Sequence, residues 1–322
     1  VYYAHVLPEF LGRAVDLLGD MLRPALREED FTLEKNVILE EIGMYDDRPQ
    51  WRLQDTLLER YFGSAPLGFR VLGTGDAIRA MTHTQMRSYF EHRYSSDNIV
   101  VAASGRLDFA ALCDGVERVA GGWRPTSAAR AYDRSNGQAA EHEGTLRDAK
   151  VTRHYLGVIA AAPSAQDDRR YAAKVLADLL GDSDGSRLYW ALIDPGLADE
   201  ADFSFAPHDR TGYHVAYASC DPERAEEVEA VLLRTIDRLG DDLTDDEIER
   251  AKNKLATSQT LQGERPRGRM TALGITWQYL GEYLPLEDEL RRLMAVTRDD
   301  VLAVAQAFPM RRRTVLRLTP DA

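Results

Sequence analysis

Asp30-Phe-Thr-Leu-Glu-Lys-Asn-Val-Ile38 returns, 217 residues further on, as Glu247-Ile-Glu-Arg-Ala-Lys-Asn-Lys-Leu255, with Lys-Asn at 35–36 and again at 252–253. Two more pairs keep nearly that spacing. Val6–Leu18 and Cys220–Leu232 each follow an alternating stretch and share Pro-Glu at 8–9 and 222–223, an offset of 214. Proline there sits in the first turn of a helix, where its missing N–H costs nothing. Met81–Phe90 aligns with Val296–Ala305 at an offset of 215, and each copy ends in an apolar strand, Asn98–Ala102 and Thr314–Leu318. Matches in one order at near-constant spacing indicate an internal duplication.

Each copy reads strand, helix, long helix, further helices, strand. That order predicts an α+β fold: two homologous domains, each an antiparallel-rich sheet with helices packed on one face. The first domain is expected over residues 1–124 and the second over 149–322. Residues 125–148, polar and turn-rich around Pro125-Thr-Ser and Ser135-Asn-Gly-Gln, are the expected linker. The second domain opens with an alternating strand at 150–158 and a helix over about 166–180. Mapped back by the repeat, those elements fall before Val1, so the first domain is expected to lack about 70 residues at its start.

Composition narrows the function classes. Hydrophobic residues at 44% and charged residues at 29% give 322 residues ample core for two domains. A net charge of -13 argues against a nucleic-acid backbone as partner, which calls for a basic face. No apolar run reaches the length of a membrane span. Cys113 and Cys220 are too few for a disulfide framework or a thiolate zinc site; they read as buried free thiols in a reducing, cytoplasmic setting.

Within the long first-copy helix, Glu34 and Glu41 fall about 20° apart at ~100° per residue, near the middle of an arc formed by Leu33, Val37, Ile38, Ile42, Met44 and Tyr45. A carboxylate on the packed side of a helix is costly unless a metal, a cation or hydrogen bonds meet it. The second copy has Ala251 and Ser258 at the aligned positions. The helix therefore forms without the pair, which favours a site in the first domain. The structural alternative for Glu41 is an ion pair with Arg52 or Arg60.

The stretches "LEKNVILEEIGMYDDRP" (33–49), "YFGSAPLGFRVLGTGDAIRAMT" (61–82) and "YFEHRYSSDNIVVAASG" (89–105) resemble the pitrilysin/insulinase (M16) family of zinc metallopeptidases, and "GDSDGSRLYWALIDPGLAD" (181–199) resembles its C-terminal-domain signature. The resemblance implies zinc held by two histidines of His-x-x-Glu-His and a third ligand from the next long helix, with the motif glutamate as general base for attack by metal-bound water. On that basis Glu41 is the metal ligand and Glu34 a supporting group, for instance hydrogen-bonded to a histidine ligand. The pair lie about 10 Å apart along the axis, too far to grip one ion. The implied activity is cleavage of peptides or unfolded segments, in a homodimer or heterodimer.

Two features depart from the family pattern. None of the seven histidines belongs to His-x-x-Glu-His, so the other zinc ligands are expected upstream of Val1. Ile193 and Asp199 occupy the places where many active members carry arginine and tyrosine to hold the substrate carbonyl or oxyanion. The alternative is a non-catalytic subunit or scaffold of the same fold paired with a catalytic partner. Ser186 reads as a helix N-cap, not a nucleophile, and His83 and His92 as solvated surface residues.

Overall fold

A computed structural model describes residues 1–128 and 141–321. The chain divides into two compact units that interleave along the sequence. Unit 1 takes residues 1–42, 72–128 and 262–283; unit 2 takes 43–71, 141–261 and 284–321. Residues 129–140, the middle of the expected linker, lie outside the described residues.

Unit 2 is built on a mixed sheet of β1 (His142–Arg147), β2 (His154–Ala161), β3 (Glu200–His208), β4 (Thr211–Cys220) and β5 (Arg313–Thr319), in the order β1-β5-β2-β4-β3. All neighbours are antiparallel except β1 and β5, which run parallel. The end of the expected linker thus forms an edge strand. Strand alternation sorts the side chains. Leu156, Val158, Ala216, Ala218 and Val315 point to one face, where α7 (Arg170–Gly181), α8 (Ala225–Asp237), α9 (Asp245–Glu264), α11 (Leu286–Met294) and α12 (Arg298–Ala307) close the main core. Ile159, Leu316 and Leu318 point the other way, against Leu53, Leu57 and Tyr61 of α3 (Pro49–Phe62). Burial of each such leucine stabilises by about 2 kcal/mol. Gly157 of β2 lets α3 approach closely: a Cβ would lie 3.0 Å from Leu57 Cδ2, so that leucine would have to give by a few tenths of an ångström.

Unit 1 holds α1 (Leu11–Met21), most of α2 (Glu28–Asp46), α4 (Gly75–Ala80), α5 (His83–Arg93), α6 (Phe109–Ala120) and α10 (Pro266–Leu280). α1 and α6 approach so closely at Gly19 that a Cβ there would stand 1.8 Å from Val119 Cγ1. The expected strand at 98–102, and the strand-like start of the chain, join no ladder among the described residues; unit 1 there consists of helices and extended segments. The segments keep strand-forming sequences, but hydrogen-bonding neighbours are what make a strand.

The duplication carries through to contacts. Helix starts α2/α9 and α3/α10 keep an offset of 217, and α5/α12 of 215. Lys35 Nζ donates to the carbonyls of Arg79 (2.8 Å) and Met81 (2.9 Å); Lys252 Nζ donates to those of Met294 (3.0 Å) and Val296 (3.1 Å). Each lysine ties its long helix to the turn before α5 or α12. Thr82 and Thr297 then cap α5 and α12 with the same reciprocal box. Cys220 is buried as expected. Cys113 is exposed, one position past the inward-facing Leu112 on α6, so the expectation of two buried thiols fails for it.

Candidate metal-facing helix surface

α2 begins with Glu28, Glu29 and Asp30, whose charges meet the positive end of the helix dipole. Lys35 fixes its middle, and the Phe31 ring lies tilted against that of His83, 5.7 Å between centres. His83 is therefore a packed residue: its Nε2 lies 2.6 Å from the carbonyl oxygen of Leu26, which also accepts from Arg87 Nη2 at 2.8 Å. The reading of His83 as solvated is corrected by that contact, whereas His92 is exposed.

Ile42 is the fully buried residue of α2. Leu33, Val37 and Met44 are exposed, so the apolar arc is wider than the side that unit 1 packs. Glu34 is exposed and Glu41 half-buried. The two carboxylates thus lie on the outward half of the arc, not against the core. Among the described residues, neither makes a hydrogen bond or ion pair. Arg52 is taken by Asp148 within unit 2.

The second copy shows what this surface of the helix is used for. Ala251, the counterpart of Glu34, is buried in the main core with Leu176, Leu179 and Leu180 of α7. One turn on, Lys254 of α9 pairs with Asp182, the residue that caps α7. Ala251 thus turns toward α7, whereas Ser258, the counterpart of Glu41, is exposed, and Lys254 aligns with Val37. Asp178 of α7, beside Lys254 and Lys174, is nevertheless held above the usual carboxylate range by burial.

Among the described residues no three His, Cys, Asp or Glu side chains come together as a metal site. Glu34 and Glu41 alone do not fit a zinc ion, and no catalytic step follows from them by themselves.

The 181–199 region is structural in its details. Ser186 Oγ accepts from the Tyr189 backbone N–H at 3.2 Å, as an N-cap does. The chain then winds into a π-helical turn, Tyr189–Ile193, which no periodicity in the sequence signals. Ile193 packs on the main core. Asp199 is held by Arg153, which also grips Asp221. These two residues therefore serve packing and an ion pair within unit 2. Arg153 has no signal in the sequence, because nothing local marks a partner 46 residues away.

Residues 1–75 match the model of the insulinase family (peptidase family M16), and residues 80–255 match that of the peptidase M16 inactive domain. An uncharacterized zinc protease of Mycobacterium tuberculosis (strain ATCC 25618 / H37Rv) is 33% identical over 99% of this chain and 74% of its own length. This chain belongs to peptidase family M16. The uncharacterized zinc protease YmxG of Bacillus subtilis (strain 168) is 26% identical over 95% of the chain and 74% of its own length. Among solved structures, a protease from Helicobacter pylori superposes with a TM-score of 0.86 at 16% identity, covering 97% of this chain and 78% of that one. The peptidase M16 inactive domain from Pseudomonas fluorescens gives 0.85 at 20%, covering 96% and 74%. At those identities the structures establish the shared M16 fold.

Proposed function

We propose that this M16 chain is part of a zinc endopeptidase acting on peptides or unfolded segments. In this reading Glu41 is the carboxylate ligand, Glu34 supports a histidine ligand, and the histidines come from polypeptide outside residues 1–322. One observation carries it: the long helix of the first copy bears two acidic residues, replaced by Ala251 and Ser258 in the second, that meet no protein cation among the described residues. The kinship with proteins named zinc proteases points the same way.

A second reading, a non-catalytic M16 subunit beside a catalytic partner, draws on Ile193 and Asp199. Both are absorbed into unit 2, and the inactive-domain match covers them. The test is zinc content and cleavage of a quenched peptide by the full-length protein and its Glu41→Gln variant. Loss of both in the variant supports the peptidase. A parent that neither binds zinc nor cuts selects the subunit, and a variant that keeps both removes Glu41 from the site.

A further inference from the structure

β1 of unit 2 is an edge strand: among the described residues it pairs with β5 and with no other strand. Its main chain divides by parity. The Asp148 N–H donates to the Thr319 carbonyl at 3.1 Å, which in a parallel ladder makes the even residues His142, Gly144 and Leu146 the ones bonded to β5. Glu143, Thr145 and Arg147 therefore turn their N–H and C=O groups to the open side. Their side chains are exposed as well, whereas Leu146 packs with the core under α3.

An open edge of this kind accepts another strand unless something blunts it. The opposite edge, β3, carries Pro207, which has no N–H to offer. β1 has no proline, and its register against β5 runs from His142 to Arg147 without a bulge. Its charges suit a copy of itself. Glu143 and Arg147 flank Thr145 at equal distance on one face. Turned about an axis through Thr145, the strand sets each glutamate opposite the arginine of the other copy. Arg147 has no ion pair among the described residues, and Glu143 meets Arg317 at 3.4 Å, a guanidinium that Glu229 already holds. The same turn sets Leu146 opposite the bare Gly144 of the other copy.

We propose that β1 pairs with β1 of a second copy of this chain, antiparallel about a twofold axis at Thr145, so that two five-stranded sheets become one. Thr145 faces Thr145, Glu143 faces Arg147, and the three outward residues exchange main-chain hydrogen bonds as antiparallel neighbours do. A parallel copy in register would set glutamate beside glutamate and arginine beside arginine, so the charges select the antiparallel arrangement. Six residues a side take part, which makes the contact a weak one whose occupancy rises with concentration. The proposal involves neither Glu34 nor Glu41 and stands apart from the zinc reading.

The test is sedimentation velocity of the full-length protein over a range of concentrations. Thr145→Pro removes an outward N–H and leaves the β1–β5 ladder its bonds. It is expected to raise the dissociation constant about thirtyfold, for the two main-chain bonds lost at the axis. Arg147→Glu and Glu143→Arg each oppose like charges and are expected to weaken association about tenfold, whereas an equal mixture of the two variants restores it. These charge variants leave the main chain untouched and decide the matter whatever proline does to β1. Hydrogen exchange over 142–147 is expected to slow as the parent is concentrated and to stay constant in the proline variant. A protein that remains monomeric at every concentration overturns the proposal. So does association that all three variants leave unchanged, which places the contact elsewhere on the surface. A mixture that associates no more tightly than its parts removes the pairing of Glu143 with Arg147.

Discussion

His214 on β4 makes the stability of unit 2 depend on acid. Its ring is 1% exposed, flanked by Phe203 and Phe205 at centroid distances of 5.2 and 5.4 Å, and neither ring nitrogen has a hydrogen-bond partner among the described residues. Burial pushes its pKa from 6.5 down to about 4; the Ser204 backbone offsets this slightly without reaching hydrogen-bond geometry. Between those values the unfolded chain binds a proton that the folded one refuses, so stability falls as pH drops from 6.5 toward 4. At pH 5 the loss from this one residue is about 2 kcal/mol, at roughly 1.4 kcal/mol for each step of one in pH below 6.5. The perturbation is His214→Leu, close in volume and unable to titrate. Urea unfolding of parent and variant is compared at pH 7.5, 6 and 5, so that contributions from other groups cancel in the difference. The variant is expected to be no less stable at pH 7.5, since two unpaired buried nitrogens are removed. Its advantage over the parent should then grow by about 2 kcal/mol by pH 5. A difference that stays constant from pH 7.5 to 5 refutes the account of His214 as a buried neutral histidine.

Lys252→Met leaves the carbonyls of Met294 and Val296 without their donor in a site where the lysine side chain is only 7% exposed. The expected cost is about 2–4 kcal/mol, against about 1 kcal/mol for Lys35→Met at the more open first-copy position, both read by urea titration. Gly181→Ala would set a Cβ 1.9 Å from the backbone nitrogen of Phe203, so the variant is expected not to fold stably, read by loss of near-UV circular dichroism and of soluble yield. Asp97 accepts from Ser95 Oγ and from the backbone N–H groups of Thr126 and Ser127, which hold its carboxyl below the usual range. Its stabilising effect is therefore present above the ordinary aspartate pKa and is lost as pH falls through the depressed one. Asp97→Ala should speed hydrogen exchange at 126–127 at neutral pH and abolish that acid dependence.

The duplication was legible because helix geometry puts the same few side chains to the same use twice. Lys-Asn at 35–36 and 252–253 is a short match, yet the lysine of each pair makes the same two carbonyl contacts. The helices after α2 and α9 were legible as elements but not in their placement. α3 reads as an amphipathic helix following α2, and nothing in its periodicity says which sheet its leucines cover. They cover β2 and β5, while α10 belongs to unit 1. β1, His-Glu-Gly-Thr-Leu-Arg, escaped because its single large apolar residue gives no alternation to read; it becomes a strand by pairing with the preformed edge of β5.

The candidate site was legible to a different degree. In the sequence, Glu34 and Glu41 stand out against an apolar arc that reads as the packed side of α2. Half of that arc is open, so the cost of burying a carboxylate is not what marks the pair. The two copies, set side by side in three dimensions, mark it better. On α9 the counterpart of Glu34, Ala251, is buried among leucines of α7 and that of Glu41, Ser258, is exposed, so neither position carries charge. On α2 the same surface offers acid, and among the described residues no cation answers it. A carboxylate as open to solvent as Glu34 needs no counter-charge, so the pair alone does not demand a cation, and the zinc content of Glu41→Gln tests whether Glu41 holds a metal ion. A variant that is merely more stable, with zinc content unchanged, would mean that the two carboxylates only repel each other and their surroundings.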